Sequence, residues 1–133
     1  IMEELTRINH IGLRVRDLDI SRDFYGKLGF KFIAGPVGPE PVAIVEHPSG
    51  ININLILNAS SAAPKTNVLM EGSVKYPGYT HVALEVTNYS IAMKKIEELG
   101  IPITGQVEFE GAKFFFIRDP DSNVIEFHQP AIS

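Results

Sequence analysis

The chain has no cysteine, and this single absence removes disulfides, thiolate nucleophiles and cysteine-bound metals from consideration. It also fits a reducing cytoplasm, which is the compartment expected for this protein. Basic charge is short as well: 12 Lys and Arg stand against 16 Asp and Glu, a net charge of −4. A general nucleic-acid binder usually carries a basic face, so no nucleic-acid partner is expected. No apolar run approaches the roughly 20 residues of a membrane span, so no membrane partner is expected. The opening Ile1-Met2-Glu3-Glu4 lacks the form of a signal peptide. With 44% hydrophobic and 21% charged residues over 133 positions, the composition is that of one compact domain, 1–133.

What the chain does have is a repeat. Ile8-Asn9-His10-Ile11-Gly12-Leu13-Arg14-Val15 returns 71 residues later as Tyr79-Thr80-His81-Val82-Ala83-Leu84-Glu85-Val86. Lys27-Leu28-Gly29-Phe30 likewise matches Glu98-Leu99-Gly100-Ile101. Two copies are too few for a solenoid and imply two similar modules facing each other. Nearer the ends of the modules, Pro48-Ser49-Gly50-Ile51-Asn52-Ile53-Asn54-Leu55 lies over Pro120-Asp121-Ser122-Asn123-Val124-Ile125-Glu126-Phe127 at an offset of 72. One inserted residue between helix and last strand accounts for the change. Asn54 is then the internal counterpart of Glu126.

Each module reads β-α-β-β-β, which gives an α+β fold of two paired βαβββ modules around an open cleft. The expected bounds are about 7–58 and 79–129, joined by a linker at 59–78. Residues 8–15 alternate, with Ile11, Leu13 and Val15 on one side and His10, Gly12 and Arg14 on the other. Asp17 or Asp19 is placed to cap a helix whose apolar positions are Ile20, Phe24 and Leu28, and Gly29 closes it. Phe30 to Ile33 is a short strand, and Ala34 to Pro41 reads as a loop. Strands follow at 42–46 and 51–57. The second module repeats the order, with a strand at 79–86, a helix carrying Ile91, Lys95 and Leu99 at the matched positions, and strands near 102–109, 112–117 and 123–128. Val68-Leu69-Met70, inside the linker, is placed either to touch the core or to cover a site.

Alternation also sorts the polar residues. It turns His10 and Asn54 in the first module, and His81 and Glu126 in the second, away from the face that covers the helix. A charged group on an apolar strand needs a partner, and a metal ion is one. Two imidazoles and a carboxylate on one concave surface form the 2-His-1-carboxylate arrangement, which suits a divalent Fe, Ni, Zn or Mn ion. His10, His81 and Glu126 are the candidate ligands. Asn54 stands as a weak ligand, a hydrogen-bond partner behind one, or polar lining. His128 shares a face with Glu126 and is placed to meet substrate or support the site, or is an edge histidine. His47 reads as a surface residue in a turn. Arg14 and Glu85 are repeat-equivalent, and either pair with each other or are solvated strand ends.

Taken together, Asn9-His10-Ile11-Gly12-Leu13-Arg14-Val15, Phe24-Tyr25 with Lys27-Leu28-Gly29-Phe30, Thr80-His81-Val82-Ala83-Leu84, and Asp119-Pro120-Asp121 leading to Ile125-Glu126 resemble the vicinal oxygen chelate superfamily. It holds glyoxalase I, methylmalonyl-CoA epimerase, extradiol dioxygenases, fosfomycin-resistance transferases and bleomycin-binding proteins. The resemblance covers essentially the whole chain. It implies a divalent metal ringed by the positions of His10, Asn54, His81 and Glu126, a small-molecule substrate and a homodimer.

Among activities, the resemblance implies a glyoxalase-type isomerase or lyase that chelates substrate through vicinal oxygens, with Glu126 as the catalytic base. Glyoxalase I carries a glutamate at the position of Asn54, where an amide cannot accept a proton at neutral pH. An extradiol dioxygenase is the alternative that fits the triad, yet Phe116 stands where that family places a tyrosine. No histidine lies between His81 and His128 to act as its base. Phe116 is then a candidate substrate contact. A fosfomycin-type enzyme expects basic residues after Glu126, where the chain has Phe127-His128-Gln129-Pro130. The contrasting class is a metal-free drug-binding protein, with Phe32, Phe114, Phe116 and Phe127 placed either to line an aromatic pocket or, for most of them, in the core.

Overall fold

A computed structural model describes residues 1–132 of the chain, which divides into two compact units, 1–63 and 64–133. Each is built from the same parts in the same order. The first holds β1 (Ile11–Arg14), α1 (Leu18–Lys27), β2 (Lys31–Val37), β3 (Val42–Glu46) and β4 (Asn52–Ile56). The second holds β5 (His81–Glu85), α2 (Tyr89–Glu98), β6 (Gly105–Phe109), β7 (Ala112–Arg118) and β8 (Val124–Gln129). The fold is α+β, with two βαβββ modules, as expected. The sheets run β1-β4-β3-β2 and β5-β8-β7-β6, and in each the first and last strands pair in parallel. Residues 64–78, read as linker, belong to the second unit, where the Asn67 side-chain amide donates to the Ser122 carbonyl at 3.1 Å.

Helix starts are set by equivalent residues. The Asp17 carboxylate accepts from the Ile20 amide at 2.9 Å, and the Asn88 side-chain carbonyl accepts from Ile91 at 3.0 Å. Each satisfies an amide that the first turn leaves unpaired. Gly29 and Gly100, both at positive φ, turn the chain out of the helices. The buried stripe is rotated from the expected one, because α1 buries Ser21, Phe24 and Tyr25 while Ile20 is 56% exposed. In α2 Ile91 is exposed in the same way and Ile96 is buried.

Two cores result, one per unit. Val15, Phe24, Tyr25, Phe30, Ala43, Val45, Ile53 and Leu55 form the first, and Ile96, Ile101, Phe115, Ile117, Ile125 and Phe127 belong to the second. Burying each large side chain contributes roughly 1.5–3 kcal/mol. Phe127 packs its ring on Phe115 in this core, not in a ligand lining, and Phe32 lies 3.9 Å beneath the Arg22 guanidinium. Phe127 thus takes the core alternative.

Three local expectations are corrected. Ala34 to Val37 is strand, because register shifts after Phe32 and after Ala34 absorb the glycine and proline. Gly35 is required there: its φ is 108°, and a Cβ would lie 2.3 Å from the Val42 carbonyl oxygen. β6 begins at Gly105 rather than near residue 102. His47 is half-buried, its ring 5.3 Å from that of Phe30 and its Nδ1 2.7 Å from Ser49 Oγ.

Candidate metal and substrate site

The site is laid out by the parallel pairing of first and last strands. In the second unit Ala83 stands opposite Glu126, and in the first Gly12 stands opposite Asn54. The two ladders hold the same register. The one-residue insertion read from the sequence therefore places Asn54 and Glu126 at one structural position. Antiparallel pairing adds the next strand, setting Phe116 opposite Glu126 and Phe114 opposite His128. Alternation then leaves His81, Glu126, His128, Phe114 and Phe116 on the sheet face away from Ile125 and Phe127.

Glu126 is 7% exposed, and its carboxylate is satisfied on both sides. His81 Nε2 lies 3.1 Å from Oε1 and His128 Nδ1 lies 2.7 Å from Oε2. An ionised carboxylate only accepts, so both ring nitrogens donate to it. In a neutral His81 ring the other nitrogen is then the acceptor, and the Thr80 hydroxyl, 2.8 Å from Nδ1, donates there. The aromatic residues hold the rings. Phe114 stacks on His128 with centroids 5.1 Å apart and planes 12° from parallel. Phe116 meets His81 edge-on at 5.8 Å.

The second unit thus gathers four of the expected site residues: His81, Glu126, His128 and Phe116. His10 and Asn54 lie in the first unit. His10 is exposed, just ahead of β1, and its Nδ1 is 2.8 Å from Asn9 Oδ1. Among the described residues, no group of three or more His, Cys, Asp or Glu side chains is gathered to hold a metal ion. Arg14 is an exposed strand end, one of its two expected roles, and it has partners within its own unit. Its Nε donates to Asn58 Oδ1 at 2.8 Å and its Nη2 to Glu40 at 3.1 Å. A groove of about 280 Å³ lined by Tyr89, Gln106, Val107, Glu108 and Lys113 shares no residue with the carboxylate cluster.

Sequence reasoning missed the roles of Thr80 and Asn9, and it named Phe114 only as pocket lining or core, not as the ring stacked on His128. The first two were available in the repeat, since each immediately precedes a repeated histidine and offers an oxygen to its Nδ1. Phe114 required the β7–β8 register, which no sequence pattern displays.

Two βαβββ modules of one topology, the second with a buried carboxylate between imidazoles, define a class: a glyoxalase-like protein. The model of the Glyoxalase/Bleomycin resistance protein/Dioxygenase superfamily matches residues 7–127, and the chain belongs to that family. It is 31% identical to "Glyoxylase I 4" of Arabidopsis thaliana over 92% of this chain and 70% of that protein. It is 30% identical to "Lactoylglutathione lyase" of Schizosaccharomyces pombe, covering 90% of this chain but 44% of that protein. The chain therefore spans less than half of that yeast relative. Among solved structures, a glyoxalase/dioxygenase from Nostoc punctiforme superposes with a TM-score of 0.74 at 22% identity, covering 99% of this chain and 96% of that one. That likeness speaks to the fold alone.

Proposed function

We propose that the protein is a divalent-metal-dependent enzyme of glyoxalase type, an isomerase or lyase acting on a small substrate with adjacent oxygens. Support comes from the family membership, from relatives named for glyoxalase and lactoylglutathione lyase activity, and above all from one observation. That observation is a carboxylate, 7% exposed, whose Oε1 faces an imidazole nitrogen at 3.1 Å. Two ligand atoms about 2.0–2.2 Å from a common ion stand roughly 2.8–3.1 Å apart at right-angled positions, as around an octahedral ion. The spacing of His81 Nε2 and Glu126 Oε1 falls in that range. The donor set, nitrogen and carboxylate oxygen, suits Fe, Ni, Zn or Mn.

His81 and Glu126 would hold the ion, with His10 as the third ligand, drawn from the same chain or from a second copy. His81 must give up its Nε2 proton to ligate, and Nδ1 must then carry one. The Thr80 hydroxyl accommodates both states, because it rotates from donor to acceptor. A bound ion would supply Lewis acidity for the developing oxyanion of the substrate. Glu126 takes the proton from the carbon beside the carbonyl and returns it to the neighbouring carbon. A positioned carboxylate base of this kind is worth about 10²–10⁴ in rate. Phe116, opposite Glu126 and against His81, bounds the substrate on one side. Asn54 lies at the position of Glu126 in the other module and offers an amide to the substrate or to a ligand.

Metal content decides the proposal. Untagged protein is loaded in turn with Fe(II), Ni(II), Zn(II) and Mn(II), then dialysed and measured by plasma mass spectrometry, beside His81→Ala and His10→Ala. Near-stoichiometric metal in the parent and its loss in both variants is the expected result. No retained ion of any kind would overturn the enzyme reading in favour of a metal-free binding protein. Loss in His81→Ala alone would remove His10 from the ligand set.

A further inference from the structure

The proposed reaction uses one oxygen of Glu126, and the structure occupies the other. We infer that His128 is a positioning residue that holds Oε2 of Glu126, with its own ring held by Phe114, so that Oε1 is the carboxylate's sole reacting oxygen. The inference rests on the function proposed above and adds a residue to it.

Three observations carry the assignment. The first is the contact itself, Nδ1 to Oε2 at 2.7 Å, which is short for a nitrogen donor and typical of a charge-assisted bond. The second is how the ring is fixed. A histidine side chain has two rotatable bonds, and stacking on Phe114 at 5.1 Å and 12° fixes the plane that aims Nδ1 at the carboxylate. Phe114 is the direct cross-strand neighbour of His128, so the backbone ladder supports the stack. The third comes from the other module. Val42 stands opposite Ile56 there, where the second unit has Phe114 opposite His128. Next along the ladder, Ile44 faces Asn54 where Phe116 faces Glu126. The same sheet thus folds with aliphatic residues at these positions. Imidazole and aromatic ring occur in the module whose ladder carries the carboxylate.

The chemical consequence is definite. With one lone pair of Oε2 taken by a donor, Glu126 favours meeting a metal through Oε1 alone over chelating it with both oxygens. Oε1, beside His81, is then both the oxygen that would meet the ion and the one that receives the substrate proton, on the lone pair the ion leaves free. Partners behind a ligand typically change metal affinity 10–100-fold when removed.

The test separates the donor from the ring. His128→Phe keeps an aromatic ring against Phe114 and loses the donor. His128→Asn loses the stack and places a side-chain N–H close to where Nδ1 stood. Affinity for zinc, read by chelator competition, is expected to fall 10–100-fold in His128→Phe and to recover most of that loss in His128→Asn. Equal affinity in parent and His128→Phe, or no recovery in His128→Asn, would overturn the inference. The metal-free protein supplies a second readout, from nitrogen–proton NMR correlations at a pH where the rings are neutral. His128 is expected to carry its proton on Nδ1, the less favoured tautomer of a free imidazole, and to lose that preference in Glu126→Gln. A proton on Nε2 would overturn the clamp whether or not zinc binds. A parent that takes up no zinc while showing the Nδ1 tautomer would instead sink the proposed function and leave the clamp standing.

Discussion

The two modules share a backbone plan and differ in what it carries. Both have the same strand order, a parallel pairing of first and last strand in the same register, and a helix capped by the equivalent of Asp17. On the face turned from the helix, the first module sets Gly12, Asn54, Ile44, Ile56 and Val42 where the second sets Ala83, Glu126, Phe116, His128 and Phe114. The fold is therefore indifferent to those five positions within this range of side chains. What separates a carboxylate site from an amide-and-aliphatic face is a handful of residues on one ladder.

The largest expected effect comes from giving the second module the first module's amide. Glu126→Asn removes both the anionic oxygen and the proton acceptor. Metal affinity is expected to fall at least ~100-fold, and any isomerase activity by about 10³ or more. Asn54→Ala, at the matched position, should cost far less on both measures, because an amide is a weak ligand and no base. Chelator competition and steady-state rates on the pair would check this. Losses of similar size would mean that the modules contribute alike and that the asymmetry read from the ladders has no functional meaning.

A second contrast lies in the outer strands. β6 pairs with β7 in unbroken register from Gly105 to Phe109, whereas β2 shifts register twice against β3. Gly35 sits in that irregular stretch at φ 108°, with the Val42 carbonyl where a Cβ would go. Gly105 has no positive φ, and an added Cβ would meet only Phe116 Cδ2 at 3.4 Å. Gly35→Ala should therefore destabilise the protein by about 2–4 kcal/mol, from strain and overlap together. Gly105→Ala should change stability by less than about 1 kcal/mol. Denaturant unfolding of the two variants tests this, and a Gly35→Ala protein as stable as its parent would show that the bulge can relax around a side chain.

These comparisons also show what was legible in the sequence. The repeat disclosed both modules, and the change of offset from 71 to 72 was enough to align Asn54 with Glu126 before any ladder was known. Period-two alternation placed His81 and Glu126 on one face, because apolar residues on a half-buried strand leave little choice of side. The β2 extension was illegible, since Gly35 and Pro36 are turn residues by local chemistry and only pairing with β3 makes them strand. The rotation of α1 was hidden for a similar reason. Ile20 fits a helical stripe with Phe24, yet packing selected Ser21 and Tyr25 and left Ile20 outside. The stack of Phe114 on His128 depends on register across two strands, and register is a tertiary property.

The smallest expected effect concerns a network whose charge the repeat reverses. Arg14 in the first module corresponds to Glu85 in the second. Arg14 and the Asn58 amide both donate to Glu40 Oε1, at 3.1 and 3.0 Å. The hydrogen bond from Asn58, then that from Arg14, holds the Glu40 carboxyl below its ordinary value of 4.5. A carboxylate with a depressed folded-state value stabilises the fold above the unfolded value and loses that contribution as pH falls through the folded one. Glu40→Gln should therefore lower stability slightly near neutrality and converge with the parent in acid, once the folded-state carboxyl is protonated. Because the group is solvent-exposed, about 0.5 M salt should shrink the difference. Hydrogen exchange adds the comparison between modules: the variant should quicken exchange in β1 and β4 at neutral pH and leave β5 and β8 unchanged. Faster exchange in both sheets would mean that the network steadies more than the module that contains it.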